Sequence, residues 1–106
     1  MTEAFLHYTS LAHALTDIFG RGISILHTER LSGGDINKAY SLSLSDGKRI
    51  FMKANAKENA AFFTAEAAGL FAIASTGTIA VPHVLGAGTD DGETAGYSFL
   101  LLDHIV

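Results

Sequence analysis

Apolar residues recur at three- and four-residue steps near the start of the chain, at Phe5, Tyr8, Leu11, Leu15 and Ile18. That spacing predicts an amphipathic helix over residues 2–19, with Gly20 as its stop. The pattern then shortens, and residues 23–31 read as a strand. Over residues 38–44, Tyr40, Leu42 and Leu44 alternate with Ser41 and Ser43, the period of a strand with one covered face. Ser45-Asp46-Gly47-Lys48 supplies a hairpin turn, because Asp-Gly tolerates the positive φ angles of a tight loop, and residues 49–55 return as a third strand. Residues 59–75 are rich in alanine and favour a helix. Thr76-Gly77-Thr78 is a loop, Pro82 marks an extended entry, and residues 84–87 and 97–105 read as strands around the acidic turn at residues 89–93. The order of helix, three strands, helix and two strands predicts an α+β fold on a five-stranded antiparallel sheet.

Composition narrows the class. A chain of 106 residues that is 48% hydrophobic and 17% charged suits a single domain and argues against disorder. A net charge of -4 gives no support for a nucleic-acid partner or an anionic membrane surface, both of which favour a basic stripe. With no cysteine there is no disulfide framework, cysteine nucleophile or thiolate metal site. The N-terminal residues lack a signal-peptide pattern, and no apolar stretch approaches the roughly 20 residues of a membrane span. The expected location is the cytoplasm. The apolar run at residues 98–102 suits a covered strand and suggests a piece of a larger protein; an edge strand is the alternative.

Two charges stand in apolar settings. Lys53 shares one strand face with Phe51, while Ile50, Met52 and Ala54 take the other. Phe62, Phe63, Leu70 and Ile73 form an apolar stripe on the second helix, and Glu66 lies three to four residues from its neighbours in that stripe. A charge facing a core needs a partner. Each side chain alone also has a route to water, Lys53 by extending its stem and Glu66 from the stripe's edge. Taken in order, a glycine-bearing turn between strands, a lysine one strand later and a helical glutamate form the arrangement that holds nucleotide phosphates. In that arrangement the lysine is a point charge for the α- and β-phosphates and the glutamate fixes its rotamer. The glycine-containing stretch Ser32-Gly33-Gly34-Asp35-Ile36-Asn37-Lys38 would cover the phosphates with backbone N–H donors. It matches neither the Walker A nor the Rossmann pattern, and by itself reads as an ordinary turn. The histidines at 7, 13, 27, 83 and 104 show no ligand spacing, so no metal site is expected. No nucleophile-elbow motif supports a hydrolase.

At this point the chain resembles the N-terminal lobe of the fructosamine kinase (ketosamine kinase) family, relatives of the aminoglycoside phosphotransferases and choline kinases. The resemblance is carried by residues 32–40, by Phe51-Met52-Lys53-Ala54-Asn55, by residues 63–70 around Glu66, by residues 76–82, and by residues 98–105. It implies a kinase-like N-terminal lobe that spans residues 1–106 and binds ATP. Gly33, Gly34, Asp35, Ile36 and Asn37 would lie over the phosphates, Lys53 would contact them and Glu66 would pair with Lys53. Phe51 would form part of the ceiling over adenine, and the backbone of Asp103, His104 and Ile105 would meet its edge at the hinge. The implied reaction passes the γ-phosphoryl group of ATP to a sugar hydroxyl of a ketosamine or other sugar-amine substrate.

The family's catalytic aspartate, in a His-Gly-Asp type motif, and its magnesium-binding aspartate belong to a C-terminal lobe. Neither motif occurs in these 106 residues, since Asp103-His104 is not His-Gly-Asp. No catalytic residue is therefore assigned here, Mg2+ is expected to find its ligands in that second lobe, and the chain alone is expected to be inactive. The competing expectation is a non-catalytic module that binds a partner, or a second copy through the exposed lobe face or an open sheet edge.

Overall fold

The computed structural model describes residues 7–31, 38–77, 81–92 and 96–104. Its elements are helix α1 (Leu11–Phe19), strands β1 (Ile25–Leu31), β2 (Lys38–Leu44) and β3 (Arg49–Asn55), helix α2 (Ala60–Ala74), and strands β4 (Val84–Asp90) and β5 (Tyr97–Leu102). A 3-10 turn, Lys57–Asn59, leads into α2. The strands form one sheet in the order β1-β2-β3-β5-β4, with every neighbouring pair antiparallel. The predicted fold class and order of elements are those of the structure.

The β2–β3 hairpin closes on Gly47, whose φ of 89° suits a residue without a β-carbon. Asp46 steadies the turn by accepting from the Lys48 backbone N–H at 2.9 Å. Hydrogen bonds from Lys48 are the main reason its carboxyl is held below the usual carboxylate range. Along β3 the alternation is clean: Ile50, Met52 and Ala54 are buried on one face, and Phe51, Lys53 and Asn55 are half-buried on the other.

A separate core lies on each face. On one, Leu15 and Ala14 of α1 join Leu42, Leu44, Ile50, Met52, Phe99 and Leu101. On the other, Phe63 and Ala67 of α2 join Ala87, Leu100 and Leu102, with Leu70, Phe71 and Val84 at the margin. Strand β5 therefore feeds alternate side chains into both cores, which explains its unbroken apolar run. It is an interior strand between β3 and β4, and the edge-strand alternative does not hold.

Several predicted boundaries move. Helix α1 begins at Leu11, where Ser10 caps it by accepting from the His13 N–H at 3.0 Å and Asp90 accepts from the Leu11 N–H at 2.7 Å. Tyr8 belongs instead to an isolated parallel bridge with Gly88. Its N–H donates to the Ala87 carbonyl at 3.1 Å, and its own carbonyl accepts from the Thr89 N–H at 2.8 Å. A β-carbon on Gly88 would stand 2.1 Å from the Tyr8 carbonyl oxygen, so glycine is what lets the two backbones meet. Pairing with β5 through Asp90 and Tyr97 carries β4 to Asp90, through part of the expected acidic turn. Strand β1 starts at Ile25 rather than residue 23, and β5 ends at Leu102 rather than residue 105. The stripe assigned to α2 is also rotated: Phe62 is 67% and Ile73 41% exposed, while Phe63 and Ala67 carry the packing.

Candidate functional site

Lys53 lies in the third-from-last position of β3, between Ala39 on β2 and Leu100 on β5, on the face that α2 covers farther along the sheet. Glu66 sits on the turn of α2 between the buried Phe63 and Ala67, so the helix that packs on β4 and β5 carries its carboxylate toward β3. The Lys53 Nζ donates to Glu66 Oε2 at 2.6 Å. Their side chains are 30% and 31% exposed, so both open readings are partly realised: the charges are paired, and the pair borders water. An ammonium held by one carboxylate oxygen keeps further N–H donors.

Phe51 is two residues back on the same face, between Ser41 and Leu102. Antiparallel register then leads from Lys53 through Phe51 to the segment after β5, where Asp103 and His104 lie. Asp103 is clasped by the entry to β4: its carboxylate accepts from the His83 N–H at 2.8 Å and meets His83 Nδ1 at 2.9 Å. Its own N–H donates to the His83 carbonyl at 3.1 Å, and His104 Nδ1 lies 2.9 Å from the carboxylate. Burial acts to raise the Asp103 carboxyl, but hydrogen bonds from His83 and the nearby charges of His104 and His83 outweigh it and hold the group below its usual range.

The structure thus brings Lys53 and Glu66 into contact and sets Phe51, Asp103 and His104 along one line from them. Gly33, Gly34, Asp35, Ile36, Asn37 and Ile105 lie outside the described residues. Two residues absent from the sequence expectation belong to this neighbourhood. Arg49 shares the strand face of Phe51 and Lys53, a placement that the alternation already contained. His83 had no such signal, since only the fold brings it to Asp103. A cavity of about 440 Å³ lies on the opposite face, with Tyr40, Met52 and Ala54 in its wall, so it is separate from the Lys53 face. Among the described residues no group of three or more metal-binding side chains converges, and no helix is long and apolar enough to cross a membrane.

The model of the family described as fructosamine kinase matches residues 7–106. A probable ketoamine kinase of Pasteurella multocida is 36% identical over 96 residues, which are 90% of this chain and 31% of the relative. One from Synechocystis is 33% identical over 98 residues, 92% of this chain and 32% of the relative. The chain spans about a third of the length of these relatives. A crystal structure of a fructosamine-3-kinase candidate from Haemophilus somnus superposes with a TM-score of 0.77 at 33% identity, covering 92% of this chain and 31% of that one.

Proposed function

The chain belongs to the fructosamine kinase family, and from that premise we propose that it is the ATP-holding lobe of a kinase acting on a sugar hydroxyl of a glycated amine or protein. The observation that carries this reading is the 2.6 Å contact of Lys53 with Glu66 at the border of an open sheet face. Phosphoryl transfer is mostly positioning and charge stabilisation, so a lobe serves it by fixing the donor. Lys53 takes the α- and β-phosphates of ATP, and Glu66 keeps the ammonium in place before the nucleotide arrives. Phe51 forms part of the ceiling over the base, and the backbone at Asp103 and His104 meets the base edge, steadied by the Asp103–His83 clasp. The stretch around Gly33 and Gly34 supplies backbone donors to the phosphates.

The carboxylate placed against Lys53 is already engaged by the ammonium, so this lobe suits the nucleotide better than the metal. The protein ligands of Mg2+, the catalytic aspartate and the acceptor pocket would belong to a second lobe. On this reading residues 1–106 alone are inactive, and the protein works in the cytoplasm. The test is the coding sequence beyond Val106 and the activity of its product. It should encode an aspartate in a His-Gly-Asp setting followed by a second aspartate, and the product should phosphorylate a fructosyl-lysine peptide with ATP. A continuation without both aspartates would remove the reading.

A second reading, a self-associating module without catalysis, draws on the outward face of α2, where Phe62 is 67% exposed. Sedimentation at several concentrations checks it. A strictly monomeric, well-folded chain would count against it.

A further inference from the structure

On the face that carries Lys53, a second cation is held by groups from three strands. Arg49 Nε donates to Ser41 Oγ at 2.6 Å, and Ser41 is only 3% exposed. Arg49 also approaches Glu29 of β1 at 3.9 Å. Its guanidinium lies over the Phe51 ring, 5.4 Å from the centroid. The Ser41 bond fixes the guanidinium at its Nε, and the cation–aromatic contact sets it over the Phe51 ring. Arginine does both because its fork is planar and weakly hydrated, which a lysine ammonium is not.

Position decides what this arrangement serves. Residues 49 and 53 are four apart on a strand, about 13 Å at roughly 3.3 Å per residue. Arg49 is therefore too far along the strand to share the phosphates held at Lys53. It lies at the other end of Phe51, beyond the pairing of Phe51 with Leu102 and toward the segment of Asp103. A nucleotide whose phosphates rest on Lys53 and whose base rests on Phe51 points the base end toward Arg49.

We propose that Arg49 is a positioning residue for the base of the bound nucleoside triphosphate, acting through Phe51. It holds the ring at the angle at which a flat purine stacks. The inference rests on the nucleotide-lobe reading above and adds to it the residue that turns a phosphate grip into a nucleotide grip. It also explains an arginine on an otherwise open strand face, with a buried serine as its hydrogen-bond partner.

The experiment compares two ligands on the 106-residue chain by amide NMR: MgATP, and Mg-tripolyphosphate, which has the phosphates but no base. Both should shift the amides around Lys53, and MgATP alone should shift those around Phe51 and Arg49. Arg49→Gln should weaken MgATP by about two- to fivefold, the worth of an exposed cation–aromatic stack, and leave tripolyphosphate unchanged. Phe51→Leu, which keeps an apolar side chain but removes the π-face, should weaken MgATP alone, and adding Arg49→Gln to it should bring no further loss. A merely structural role for Arg49 would move both ligands together. Equal weakening of the two ligands, or no change in either, overturns the inference and leaves the phosphate grip standing. If neither ligand shifts the Lys53 amides of the unmodified chain, the nucleotide reading itself fails and the inference falls with it.

Discussion

Replacing Glu66 by alanine and Lys53 by methionine, singly and together, measures how strongly the two charges depend on each other. Fully exposed ion pairs are worth about 0–1 kcal/mol. Breaking a fully buried pair from one side costs about 3–5 kcal/mol, because the remaining charge is stranded. Here the contact is 2.6 Å and the side chains are 30% and 31% exposed, so the pair lies between those limits. Two unit charges about 4 Å apart attract by roughly 4 kcal/mol at an effective dielectric near 20, before desolvation and side-chain entropy are subtracted. A net coupling of about 1–2 kcal/mol is the expected result. Glu66→Ala should cost more than Lys53→Met, because it leaves an ammonium against the sheet, whereas methionine keeps the apolar stem. Urea unfolding of the four proteins gives the double-mutant cycle. Each 1 kcal/mol should also appear as roughly 4–8 °C in Tm for a domain near this size. A coupling no larger than the ~0.3–0.5 kcal/mol scatter of independent sites would refute the argument and place both side chains in water.

Two further perturbations test the frame around the site. Gly88→Ala pushes a β-carbon into the Tyr8 carbonyl and should break both backbone hydrogen bonds between the Tyr8 segment and β4; a loss of about 1–3 kcal/mol is expected from two net hydrogen bonds, and hydrogen exchange at the Thr89 amide should accelerate, whereas an unchanged urea midpoint would contradict the bridge. Tyr8 gives the pH dependence: burial first, then its 2.5 Å hydrogen bond to Asp17 and that carboxylate's charge, push its phenol from 10.0 up to about 12. A raised folded-state pKa means that the stabilisation is complete below pH 10.0 and is lost as pH rises toward about 12. Tyr97 is also raised, chiefly by burial, so ultraviolet titration should show late phenolates at both residues together with a falling urea midpoint, and Tyr8→Phe should remove one of the two late steps and flatten that fall.

The sequence alone reveals a good part of this fold where local chemistry and tertiary packing agree. Strands β2 and β3 keep their predicted boundaries because the alternation, the Asp46-Gly47 turn and the covered face all demand the same register. Tyr8 misleads because its spacing from Leu11 and Leu15 is helical while its backbone hydrogen bonds belong to β4, and no pattern within one segment reports a partner 80 residues away. Helix α2 is apolar on nearly every side, so its periodicity selects no face; packing against Leu100 and Leu102 selects Phe63 over Phe62. In the candidate site, Lys53 and Glu66 are legible as an ordered set, because a lysine on a strand followed by a carboxylate on the next helix needs no distance to suggest a pair. The clasp of Asp103 by His83 is invisible for the opposite reason: 20 residues separate them, and neither type carries a signal until β4 and β5 are paired.

The central claim is that Lys53, held by Glu66, grips phosphate, and the most direct measurement is a tripolyphosphate titration followed at the Lys53 side-chain ammonium by NMR, with Lys53→Met followed at the neighbouring amides. The account predicts saturable shifts at Lys53 in the unmodified chain. It also predicts an affinity lower by about tenfold or more in Lys53→Met, since a hydrogen bond to a charged group is worth roughly 1.5–3 kcal/mol, with the variant still folded. Identical dissociation constants for the two proteins would contradict it.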